Sequence, residues 1–143
     1  MSFSLHDIRT SYGRCVVTRE NKTRFYNRFH QLFVDGHPQI KQLFATIPHE
    51  RRINVFKQAL SMTILYAEDQ HGIALDVLTS VKKRHARQPI AITATHYQHW
   101  RNSLLTAFEE CDPKFTPALK AQWQEVLTIT TDFLQQAALE PLP

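Results

Sequence analysis

The chain of 143 residues contains three glycines, and they form no loop that could cradle a phosphate. It also lacks a GxSxG elbow and a pair of inward carboxylates, so the common signatures of nucleotide and hydrolase chemistry are missing. Cysteine is nearly as scarce. Cys15 and Cys111 lie far apart with no CxxC or Cys/His ligand spacing, which argues against structural zinc and a disulfide framework and for two reduced, partly buried thiols. No stretch approaches the roughly 18 apolar residues of a membrane span, so no membrane association is expected. The first ten residues carry His6, Asp7 and Arg9 without an apolar run, unlike a secretory signal, and the cytoplasm is the expected location. The net charge of +4 is modest, and its clusters, Arg51-Arg52 and Lys82-Lys83-Arg84, are short and not interleaved with aromatics. Nucleic acid is therefore not an expected partner.

What remains is apolar residues at helical spacing. The composition, 43% apolar and 10% aromatic, is that of a globular protein, and a length of 143 residues suits one domain spanning 1–143. Period-two alternation is rare, whereas spacings of three and four recur along most of the chain, which predicts an all-α fold of about seven helices. A first helix is expected from about Leu5 to Val17 and a second from about Asn21 to Phe33, where Phe25, Tyr26, Phe29, His30 and Phe33 share a face. Gly36 is expected in a left-handed conformation past that helix, with Pro38 opening a short helix to Leu43. A helix from about Glu50 to Ala67 places Ile53, Phe56, Leu60, Ile64 and Ala67 on one stripe. The next runs from Ile73 to Arg87. Thr93 is a suitable cap for the helix bearing Tyr97, Trp100, Leu104 and Phe108. The last helix, from about Pro117 to Ala138, turns Leu119, Trp123, Val126, Leu127, Thr130, Phe133 and Leu134 inward.

His85 shares a helix face with Val77, Leu78 and Val81. A histidine in that position is most often a core residue satisfied by a carbonyl. With Phe44 upstream it also forms the pair by which an all-helical protein can hold haem, one residue ligating the iron and the other packing on the porphyrin. The remaining histidines lack such support. His96 and His99 are expected to be exposed, and His6, His37, His49 and His71 lie near helix ends or turns.

The helix order, with Pro38 and Phe44 at a short third helix and His85 before a proline-containing turn, resembles the globins. Ser11-Tyr12-Gly13-Arg14-Cys15, Arg28-Phe29-His30, His37-Pro38, the run Ala59 to Ala67, and His85 through Tyr97 to Trp100 are similar to bacterial single-domain globins and the sensor domains of globin-coupled sensors. The resemblance implies a globin fold around a haem pocket, with haem b as cofactor, Phe44 stacked on it and His85 as the proximal iron ligand. It places Val81 against the macrocycle and lets Arg84 or Lys83 reach a propionate. A solvated basic face is the alternative for those cations. Phe56 and Leu60 align with the distal positions of the long helix.

Counting back from Phe44 without a gap puts His30 where the resembled globins carry a tyrosine that bonds the gas ligand. Three roles are open to His30: donor to the ligand, structural histidine turned away, or sixth iron ligand. Tyr26 could supply a hydroxyl in another register. Tyr97 matches the tyrosine that orients the proximal histidine, whereas Ala137 and Ala138 stand about where a glutamate would be, which disfavours oxygen-activating catalysis.

The resemblance thus implies reversible binding of a diatomic gas (O2, CO or NO) by five-coordinate haem iron, for oxygen binding, scavenging or sensing. The alternatives are a haem-free regulatory module of the same fold, or a nitric oxide dioxygenase served by an external reductase, since no attached flavin reductase is expected. A homodimer through the last two helices is a further expectation.

Overall fold

The computed structural model describes residues 3–136, so the readings that fall on Ala137, Ala138 and the tail lie outside the described residues. Seven α-helices occur among them: α1 (Leu5–Cys15), α2 (Arg19–His30), α3 (Pro38–Leu43), α4 (His49–Glu68), α5 (Ile73–Ala86), α6 (Ala94–Cys111) and α7 (Pro117–Gln135). Side chains define their starts. Ser4 Oγ accepts from the Asp7 N–H, Thr18 Oγ1 from Asn21 and Thr116 Oγ1 from Leu119, each satisfying an amide that the helix itself leaves without a partner. The expected starts of α3, α5 and α7 hold, while α1 stops two residues short of Val17 and α2 begins at Arg19, because Thr18 is its cap.

The end of α2 departs from the sequence reading. Instead of stopping near Phe33, the chain widens into a π-helical turn, Gln31–Asp35, that carries it to Gly36. Gly36 is not left-handed: its φ is −83° and its ψ is −2°. It is glycine because the chain closes on itself here, and a Cβ would sit 2.2 Å from the carbonyl oxygen of Leu32.

The core lies between α1, α2, α4, α6 and α7. Trp123 of α7 stacks on Phe108 of α6 with ring centroids 3.9 Å apart, and Phe25 of α2 stacks on the same ring at 5.3 Å. A polar knot is buried beside them. Trp123 Nε1 donates to Ser11 Oγ (3.0 Å), which donates to Asp112 Oδ2 (2.6 Å), and Arg14 donates to both oxygens of the same carboxylate. Asp112, legible in the sequence only as a helix breaker before Pro113, thus joins the end of α6 to α1. Burial pushes its pKa up, but the bonds from Arg14, Ser11 and the Lys114 N–H outweigh burial and leave it below the ordinary value. Both thiols are free and buried, and burial raises the pKa of Cys15 to about 12.

Helix α4 is apolar on two faces. Phe56, Leu60, Ile64 and Ala67 enter the core as their spacing predicts. Val55, Gln58, Ala59, Met62 and Thr63 form an adjacent face, with the i, i+3, i+4, i+7, i+8 spacing of a second helical stripe, and this one lines a cavity. Among the described residues no helix is long and apolar enough to cross a membrane.

Candidate functional site

A cavity of about 350 Å³ lies between α3, α4, α5 and α6, with one side closed by α7. That volume is within the roughly 300–1,000 Å³ of small-molecule sites. Phe44, Phe56, Val81, Arg84, His85 and Tyr97 all line it. Thus six of the eight positions singled out in the sequence converge on one space, although they come from three helices and the corner after α3.

His85 is half-buried in the last turn of α5, and its Nδ1 shares a 2.7 Å hydrogen bond with the hydroxyl of Tyr97 on α6. That bond fixes the ring's orientation and leaves Nε2 as the nitrogen able to take a ligand. Desolvation, with the adjacent charge of Arg84, holds the pKa of His85 below its ordinary value, so the ring is neutral as metal ligation requires. Burial pushes the Tyr97 phenol up to about 12, which keeps it protonated. Arg84 itself is exposed at the edge of the cavity, whereas Lys82 is over the ring of Phe133, 3.8 Å from its centroid.

The opposite wall is aromatic. Phe33, Phe44 and Phe56 line the cavity and pack on one another with centroids 5.5–6.3 Å apart, backed by Phe29 at 5.0 Å from Phe56. His30 and Leu60 are not brought to the cavity wall. Leu60 is 1% exposed within the core, and His30 has its Nε2 3.2 Å from Arg52 Nη1 and its ring against His49.

Two histidines expected at the surface are not there. His96 is buried at the cavity wall: its Nδ1 accepts from the Thr93 N–H (2.9 Å), and Nε2 therefore donates to Gln39 Oε1 (2.7 Å). It is the third residue of α6, so it reaches back to cap its own helix, a role that an apolar-stripe count overlooks. His99 is half-buried and donates from Nε2 to the carbonyl of Phe33 at 2.9 Å.

Residues missed by the sequence reading are the second face of α4 and the hydroxyl of Thr130. Thr130 lines the cavity, and its Oγ1 is buried without a hydrogen-bond partner. Other helical threonines bond back to a carbonyl four residues earlier: Thr63 to Ala59, Thr79 to Leu75 and Thr131 to Leu127. An orphaned hydroxyl in a cavity wall marks a place where a polar partner is missing.

No group of three or more His, Cys, Asp or Glu side chains that could hold a bare metal ion occurs among the described residues. Of the two histidines that line the cavity, His96 has both ring nitrogens bonded to Thr93 and Gln39, so His85 alone keeps a nitrogen for a ligand, which suits a metal that arrives with most of its donors supplied, as in a porphyrin. His85 would ligate such a group, with Phe44, Phe56 and Val81 against its faces and Arg84 beside its acidic substituents.

This helix order with a histidine-bearing cavity is the globin fold. A crystal structure of a Pseudomonas aeruginosa protein described as structurally highly homologous to a human hemoglobin is similar to this chain with a TM-score of 0.80. The likeness covers 93% of this chain and 96% of the other at 23% sequence identity. No protein-family model and no curated protein matches the sequence.

Proposed function

We propose that this chain is a haem-binding globin that reversibly binds dioxygen or another neutral diatomic gas, for oxygen binding, scavenging or sensing. The observation that carries this reading is His85 at an otherwise largely apolar cavity, neutral and oriented by Tyr97. Haem b, when bound, would supply an iron centre able to take a diatomic gas. His85 provides the protein ligand, Tyr97 holds its ring, and Phe33, Phe44 and Phe56 exclude water and ions from the opposite side. Arg84 supplies a cation for the carboxylates of the group. Reducing equivalents would come from a separate reductase. Absorption spectroscopy of protein purified after haem supplementation tests the reading: a Soret band is expected, and its absence rejects the proposal. His85→Ala is expected to abolish tight haem binding, and an unchanged spectrum and haem retention would reject the ligand assignment.

A further inference from the structure

Arg52, near the start of α4, makes two hydrogen bonds outside the cavity that bear on its wall. Its Nε donates to the carbonyl of Ile47 at 2.7 Å, and its Nη1 lies 3.2 Å from His30 Nε2. A guanidinium can only donate, so His30 Nε2 accepts with its lone pair, and the proton of the neutral ring is on Nδ1. Ile47 and Phe44 both line the cavity, and the Ile47 N–H donates to the Phe44 carbonyl at 3.0 Å across the turn between them.

We propose that Arg52 is a positioning residue that ties the Phe44–Ile47 wall of the cavity to the end of α2, and that protonation of His30 releases the tie in acid. A protonated ring has no lone pair for Arg52. It also lies beside the Arg52 guanidinium and beside His49, whose ring centroid is 4.7 Å away and whose Nε2 is 3.2 Å from Asn27 Oδ1. Asp35, from the π-helical turn, is the acidic group that acts on His30 and favours the proton. Burial, followed by His49 and Arg52, outweighs it and holds the His30 pKa below the ordinary imidazole value. Stability from this ring is therefore complete above the unfolded-chain value near 6.5 and is lost as pH falls towards the lower folded one. The tie belongs to the polypeptide alone; its consequence, easier passage through this wall in acid, rests on the proposed gas-binding role.

Amide hydrogen exchange of the full-length, haem-free chain at about pH 7.5 and about pH 5, above the carboxylate range, tests the tie. After allowance for the intrinsic pH dependence of exchange, opening at the Ala45 and Ile47 amides is expected to rise about ten-fold at the lower pH, the equivalent of one charge-assisted hydrogen bond. Leu127, within α7, is expected to show no such rise. His30→Gln offers an acceptor that does not titrate and is expected to remove the rise; Arg52→Ala is expected to open the same amides at both pH values. Equal opening of the wild type at the two pH values, a rise shared by Leu127, a rise that persists in His30→Gln, or wild-type protection in Arg52→Ala overturns the proposal.

Discussion

His85 Nδ1 and the hydroxyl of Tyr97 are 2.7 Å apart, linking the last turn of α5 to the first turns of α6 across the wall of the cavity. Twelve residues separate them in sequence, and the Pro89 turn lies between. The bond decides which ring nitrogen of His85 is left for a ligand.

Tyr97→Phe removes that bond while keeping the ring. Outer partners of ligating histidines typically contribute 10–100-fold to affinity, so haem binding is expected to weaken by about that factor. Competitive haem transfer measures it. Unchanged affinity would reduce Tyr97 to a packing residue.

Thr130→Val replaces an unpartnered buried hydroxyl with a methyl of similar size. Leaving such a group unsatisfied costs about 1–3 kcal/mol, so the haem-free protein is expected to gain about 1 kcal/mol. For a chain of this size that raises the thermal midpoint by about 3–4 °C. Haem affinity is expected to fall in the same variant, since the cavity loses a polar contact. A lowered midpoint in the haem-free state would mean that the hydroxyl already has a partner.

Asp112 sets the acid limit of the core. Its pKa is depressed in the fold, so its contribution is complete above the ordinary carboxylate value of about 3.9 and is lost as pH falls through the lower folded value. Asp112→Asn leaves Arg14 without its counter-charge and is expected to cost about 3 kcal/mol near neutrality, the lower end for a buried pair because Arg14 is partly exposed. Urea unfolding at about pH 7 and about pH 3 is expected to show a smaller gap between variant and wild type at the acid end. An equal gap at both would remove the charge from the explanation.

Helix order was legible because apolar residues recur at 3.6-residue spacing, which put His85 and Val81 on one face; the choice of His85, Val81, Arg84, Tyr97 and Phe44 as site residues came from the resemblance to globins. What was not legible depends on geometry that a linear count does not carry. His30 was placed by counting back from Phe44, yet the π-helical turn at Gln31–Asp35 advances each residue by a smaller angle than an α-helix, so equal offsets no longer mean equal directions. On α4 the core stripe was read and the neighbouring one passed over, because Gln58 and Thr63 are polar and Ala59 is small, so that the stripe is weak beside Phe56, Leu60 and Ile64. His96 was hidden by its capping role, and Thr130 was read as inward-facing while nothing in the sequence tells whether a hydroxyl finds a partner.

The two stripes of α4 interleave residue by residue, Val55 with Phe56 and Ala59 with Leu60: Val55 and Ala59 face the cavity, Leu60 the core, and Phe56 packs in the core while its ring also lines the cavity. Because successive helical residues differ by about 100°, a rotation of α4 that collapsed the cavity would also draw Phe56 and Leu60 from their core sites. The cavity therefore cannot close cheaply. The helix acts as a rigid strut, and the same residues that fold the chain also hold its cavity open.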